Sequence, residues 1–95
     1  MPTFEQLPRF DKDFAALTRD QQQRFIAAVM KFADLDRRTL RAGLRVKRVE
    51  GAPGIFEMTW APDGRATFEY GAEVITGEPR IIWRGVGGHD VFGEP

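Results

Sequence analysis

The chain has no cysteine, no serine, one histidine and one tyrosine. Without cysteine there are no disulfides and no thiolate metal sites, which fits a reducing cytoplasm. Without serine the serine-hydrolase triad is closed. A lone histidine with no paired ligand spacing gives no reason to expect a metal. The His89-Asp90 pair is also met in metal-dependent phosphohydrolases, but those need further histidine ligands that this chain lacks. There is no G-x-x-x-x-G-K-[ST] loop and no dinucleotide fingerprint, so no cofactor is expected. No apolar run approaches the roughly 18 residues of a membrane-spanning helix. No charged-then-apolar leader opens the chain, so neither a membrane span nor secretion is expected.

What remains is ordinary globular material. Ninety-five residues, 42% hydrophobic and 29% charged, make one domain spanning 1–95. A chain of this length buries roughly 60–65% of its unfolded surface, enough for a thin core. Net charge is zero but unevenly spread. Residues 1–49 hold 11 Lys/Arg against 6 Asp/Glu, and residues 50–95 hold 3 against 8. The densest basic stretch is Arg37, Arg38, Arg41, Arg45, Lys47 and Arg48, with no acid inside it. Such a patch suits a phosphate chain. It equally suits pairing with the acidic second half, and domains that bind nucleic acid unaided are usually basic overall.

Pro8 opens a helix whose Phe10, Phe14 and Leu17 form one apolar stripe. Thr18 and Gln21 form a T-x-x-Q capping box, with Asp20 in the first turn. The helix that follows carries Phe25, Ile26, Val29, Met30 and Ala33 on one side, expected to be core, and ends near 34–36. Two consecutive helices predict a helical hairpin. From Leu44 the period changes to two. Leu44–Val49, Ile55–Trp60, Arg65–Tyr70 and Arg80–Val86 read as four strands, and Thr3–Leu7 can form a further short one. Gly51, Pro53 and Gly54 mark the first turn. Pro62-Asp63-Gly64 marks the second, with Gly64 free to turn left-handed. The expectation is an α+β domain, a helical hairpin on a four-stranded antiparallel sheet.

Loop lengths then set a register. A five-residue loop at Glu50–Gly54 pairs Val46 with Met58 and Lys47 with Glu57. A three-residue loop at Pro62–Gly64 pairs Thr59 with Thr67, Met58 with Phe68 and Glu57 with Glu69. One face collects Leu44, Val46, Phe56, Met58, Trp60, Ala66, Phe68 and Tyr70 against the helices. The other collects Arg45, Lys47, Glu57, Thr59, Arg65, Thr67 and Glu69, joined by Arg80 and Arg84 if Ile81 and Trp83 point inward. That second face is either a solvated surface laced with weak ion pairs or a cationic platform with an embedded carboxylate. At the end of the last strand two glycines precede His89, a residue placed to exchange protons near neutral pH or, more simply, a turn histidine held by Asp90.

The run Leu44-Arg-Val-Lys-Arg-Val-Glu-Gly-Ala-Pro-Gly-Ile-Phe-Glu57, then Asp63-Gly-Arg65-Ala-Thr-Phe, then Val86-Gly-Gly-His89-Asp, resembles the RelE/ParE toxin superfamily. So does the opening Leu7-Pro-Arg-Phe-Asp-Lys-Asp-Phe-Ala-Ala-Leu17. The resemblance spans almost the whole chain and lies in the order of elements more than in any one motif. It implies a toxin partnered by an antitoxin. RelE-like members cleave mRNA in the ribosomal A site, and ParE-like members poison DNA gyrase. The nuclease branch implies Lys47 as the strand lysine, Arg65 as the arginine at the scissile phosphate and His89 at the C-terminal site position. Glu57 stands as a substitute for a glutamate base that some members carry on the first sheet strand, where this chain has Arg45. Arg45, Arg48 and Arg84 are expected phosphate contacts that match no motif position. Phe92 stands nearest to where many nucleases carry a tyrosine. Three functions follow as expectations: a metal-independent mRNA endonuclease, a gyrase-directed toxin, or an interaction module of the same fold without catalysis.

Overall fold

The computed structural model describes residues 3–34 and 46–95. Its elements run β1 (Thr3–Gln6), α1 (Pro8–Ala16), α2 (Arg19–Asp34), β2 (Val46–Arg48), β3 (Ile55–Ala61), β4 (Gly64–Gly71), β5 (Arg80–Gly87) and a short 3₁₀ helix, His89–Gly93. The five strands form one sheet in the order β1-β5-β4-β3-β2. The α+β class is as expected, but the sheet has five strands rather than four, and it is mixed. β1 runs parallel to β5, pairing Phe4 with Ile81 and Gln6 with Trp83. A bidentate pair from Arg80 to Glu5, at 2.6 and 3.1 Å, ties these strands on the outside.

The helices also depart from the expected hairpin. α1 lies along β5 and α2 against β3, so each packs on the sheet in its own right. They meet each other chiefly through Phe10 and Phe14 of α1 against Phe25 of α2. The capping box forms as read: Thr18 Oγ1 accepts from Gln21 N–H at 3.2 Å, and Gln21 Oε1 accepts from Thr18 N–H at 2.8 Å. Where β1 leaves β5, α1 takes over the strand's edge. There Asp13 Oδ2 accepts from the Val86 N–H at 3.3 Å, which satisfies a backbone donor that would otherwise lack a strand partner.

The core sits between the helices and the inner face of the central strands. Met58, Ala66, Phe68, Ile81, Trp83 and Val86 are buried there, with Phe10 and Phe25 closing from the helices. Phe68 has no exposed surface. It meets Trp83 edge-on at 5.3 Å and stacks on Phe56 at 5.6 Å. Of the expected α2 stripe, Phe25 is buried and Val29 packs against the core. Ile26 and Met30 do not: both are exposed, Met30 at 67%. They lie about 100° farther round the helix than Phe25 and Val29, beyond the sheet's reach. The side chain of Ala33 lies outside the described residues.

β2 and β3 pair as the five-residue loop requires, Val46 with Met58 and Lys47 with Glu57, and Gly51 and Gly54 take the positive φ that this loop needs. The expected start of this strand, Leu44 and Arg45, falls outside the described residues. The β3–β4 register differs from expectation by two. Glu57 faces Thr67, Met58 faces Ala66 and Thr59 faces Arg65. The turn is tighter than three residues, because Gly64 pairs with Ala61 and the irregularity is taken up at Trp60. Gly64 is not left-handed. It is needed for a different reason: a Cβ there would lie 2.6 Å from the Trp60 ring.

Truncating Phe68 to alanine is expected to cost about 3–5 kcal/mol, while Met30→Ala stays within about 0.5 kcal/mol. Urea denaturation of the two variants beside the parent chain checks both. Similar losses would show that the core is drawn wrongly.

Candidate active site

A slip of two residues leaves every side chain on its original face, since strand side chains alternate with period two. The outward set on β2, β3 and β4 is therefore as read: Lys47, Glu57, Thr59, Arg65, Thr67 and Glu69. The short C-terminal helix folds back onto this side of β4 and β5. It can approach because Gly85 of β5 has no side chain; a Cβ there would meet Val91 Cγ2 at 2.9 Å. Val91 anchors the helix as a buried residue. His89 and Phe92 are thereby set over the strands.

The result is an open cleft of about 580 Å³ lined by Val46, Lys47, Glu57, Thr59, Arg65, His89 and Phe92. Four of these were singled out for chemistry in the sequence, on three strands and the terminal helix. Lys47 Nζ lies 3.5 Å from Glu57 Oε1. The two are unequal partners: the Lys47 side chain is 73% exposed and that of Glu57 only 9%. Because Glu57 faces Thr67 and not Glu69, the like-charge opposition expected across the strands does not arise. Glu69 instead accepts from Arg84 Nη1 at 3.0 Å.

Arg65 is held from behind. Its Nη1 donates to the carbonyls of Gly64, Ala61 and Pro62 at 2.9, 3.3 and 3.4 Å. These bonds fix the guanidinium plane against the hairpin turn while the side chain borders the cleft. No carboxylate pairs with it among the described residues, so its charge is free to act on an anion. The His89 ring stands perpendicular to Phe92 with centroids 6.0 Å apart. The residue facing its Nε2 is Asp63, at 4.0 Å. Asp90, the expected holder, accepts from the Gly88 N–H instead. No signal near His89 pointed to Asp63, because their approach depends on the chain end returning to the β3–β4 turn.

Two other expected phosphate contacts lie apart. Arg48 has the opposite strand parity from Lys47 and sits 6.0 Å over the Phe56 ring, on the helix-facing side. Arg84 is occupied by Glu69 and by the carbonyl of Pro95 at 3.0 Å. Arg45 lies outside the described residues. Phe92 and Thr59 were not singled out as site residues, yet both line the cleft. Thr59 was already legible as an outward residue between Glu57 and the turn. Among the described residues no group of three or more His, Asp or Glu side chains is arranged to hold a metal ion. No described helix is long and apolar enough to cross a membrane.

No protein-family model matches the chain, and no curated protein matches it in sequence. Solved structures do. The chain is similar to one in the RelB–RelE antitoxin–toxin complex from Methanococcus jannaschii, with a TM-score of 0.65 and 16% identity over 95% of each chain. It is similar to the YoeB/ParE toxin from Agrobacterium tumefaciens, with a TM-score of 0.66 and 14% identity over 92% of this chain and 98% of that one. It is also similar to a chain of the intact E. coli RelBE toxin–antitoxin complex, with a TM-score of 0.64 and 12% identity over 93% and 96%. The chain therefore has the RelE/ParE toxin fold, as the resemblance in sequence implies.

An ion pair with one partner so exposed is weak, and a competing phosphate opens it easily. A double-mutant cycle on Lys47 and Glu57 is expected to give about 0.5–1 kcal/mol of coupling at low salt. The coupling should largely vanish near 1 M salt, where the screening length falls to about 3 Å. Coupling that resists salt would contradict this description of the pair.

Proposed function

We propose that the chain is the toxin of a toxin–antitoxin pair and acts as a metal-independent endoribonuclease on mRNA held by the ribosome in the cytoplasm. The observation that carries this reading is the meeting of Lys47, Glu57, Arg65 and His89 around one open cleft. A cleft so equipped has what phosphodiester cleavage by an internal hydroxyl needs: a proton acceptor, a proton donor and fixed positive charge where negative charge grows.

Lys47 turns from Glu57 to a non-bridging phosphate oxygen. The Glu57 carboxylate takes the ribose 2′-hydroxyl proton, and the 2′-oxygen forms a bond to phosphorus. Arg65, fixed by three carbonyls, holds the charge that develops on the equatorial oxygens. The P–O5′ bond breaks as His89 gives its proton to the departing oxygen. The products are a 2′,3′-cyclic phosphate and a 5′-hydroxyl. Phe92 offers a ring face on which a base can stack, but no hydroxyl to share in proton transfer. Support for an antitoxin partner comes from the similar chains in antitoxin–toxin complexes.

Ribosomes programmed with a defined mRNA provide the test. The purified chain should cut within the A-site codon and leave a 2′,3′-cyclic end. A single 2′-deoxy nucleotide at the cut should abolish cleavage. Arg65→Met and His89→Gln should each slow cleavage by about 10²–10⁴-fold without unfolding the protein. Intact mRNA during growth arrest removes the nuclease reading. DNA breaks that persist with His89→Gln would assign the chain to the gyrase-directed branch.

A further inference from the structure

Thr67 is the most enclosed polar side chain near the cleft. It has no exposed surface, and among the described residues its Oγ1 is a buried hydroxyl with no hydrogen-bond partner. Buried hydroxyls are nearly always bonded, because leaving one without a partner forfeits the bond it had with water. The central strand β4 places it there, beneath the C-terminal helix and directly across from Glu57 of β3. Side chains directly opposite on one face of an antiparallel pair stand about 5 Å apart at Cβ, within reach of each other. Glu57 is itself a buried charged residue. Among the described residues its carboxylate has one partner, the exposed Lys47 Nζ at 3.5 Å. A carboxylate has about four acceptor positions. So an unused donor and a largely unused acceptor stand opposite each other on neighbouring strands.

We infer that Thr67 is the positioning residue for Glu57: when Lys47 leaves for the phosphate, the Thr67 hydroxyl donates to the Glu57 carboxylate and holds it for proton transfer. This rests on the proposed nuclease reading for its consequence but not for its geometry. Without such a donor, the departure of Lys47 would leave a buried carboxylate alone, and it would turn toward solvent and away from the ribose. With it, one oxygen is held by Thr67 and the other faces the cleft. The exchange forms and breaks hydrogen bonds only, and no atom is transferred between the two side chains. Thr67 need not touch the RNA.

Two measurements decide the matter, one of them independent of catalysis. Lys47→Met removes the exposed partner without adding a donor. A crystal structure of that variant should show Glu57 within about 3 Å of Thr67 Oγ1, an ordinary hydrogen bond. A Glu57 side chain turned to solvent, with the hydroxyl still unpartnered, overturns the inference whatever the activity. In the ribosome assay Thr67→Val should lower kcat by about 10-fold or more with little change in KM, while Thr67→Ser restores most of the rate. The valine variant should melt no lower than the parent, since it loses an unbonded hydroxyl and keeps the shape. Parent-like kcat in Thr67→Val, or equal losses in both variants with lowered melting temperature, also overturns it. A parent chain that cuts no mRNA defeats the nuclease reading, and the Lys47→Met structure still decides the role of Thr67.

Discussion

The edge-on contact of Phe68 with Trp83, 5.3 Å between ring centroids, fixes the register of the two longest strands. Much else follows from it. Phe68 sits on the middle strand of the sheet, and both rings are buried against Phe10 and Phe25 of the helices. Once these face inward, alternation sends Arg65, Thr67 and Glu69 outward from β4, and β3 is set likewise by Met58. A shift of one residue would bury the charged set and expose the aromatic one, at a cost far above the stability of a domain this size. The polar face is thus specified by the apolar one. Its side chains are held in place by packing they do not themselves take part in.

The same alternation explains how much of the site was legible in the sequence. Lys47 and Glu57 were paired correctly because a five-residue loop with two positive-φ glycines leaves one sensible register. The β3–β4 pairing was misread by two because Trp60 is the site of an irregularity that no local pattern announces, and its ring covers the position where Gly64 lacks a side chain. Parity survived the error, so the faces of the described β3 and β4 residues were right although their partners across that pair were not. Three features could not be read at all. The parallel β1–β5 pairing joins the two ends of the chain. The Asp63–His89 approach depends on a helix folding back. The exposure of Ile26 and Met30 depends on the angle at which α2 meets β3. Each is set by tertiary packing between segments far apart in sequence, where periodicity carries no information.

The divided charge of the chain also takes on a clear meaning. Several cations find carboxylates within the fold: Arg80 with Glu5, Arg84 with Glu69, Arg9 with Asp13, Arg24 with Asp20 and Lys47 with Glu57. Apart from Glu57, every partner keeps a quarter or more of its side chain exposed, so the pairs are worth little individually. They matter more for what they remove from the surface. In the cleft, Arg65 is bonded, among the described residues, to neutral carbonyls alone and keeps its charge for a ligand. Lys47 is the next cation available, at the small cost of parting from Glu57.

The charge left in the cleft governs how such a site meets a nucleic acid. Affinity for free RNA comes from many phosphate contacts, each releasing counterions, and a chain of zero net charge whose cleft holds one unpaired cation among the described residues has few to offer there. Collecting mRNA from solution is therefore a poor task for it. Cleavage requires less. A phosphodiester already presented in a fixed conformation needs only local charge stabilisation and proton transfer, because the ordering of the strand has been met elsewhere. In the proposed function a ribosome would supply that ordering by holding the codon. The near-neutral charge, which counts against an autonomous nucleic-acid binder, is thus compatible with the proposed enzyme, whose substrate is positioned by another machine.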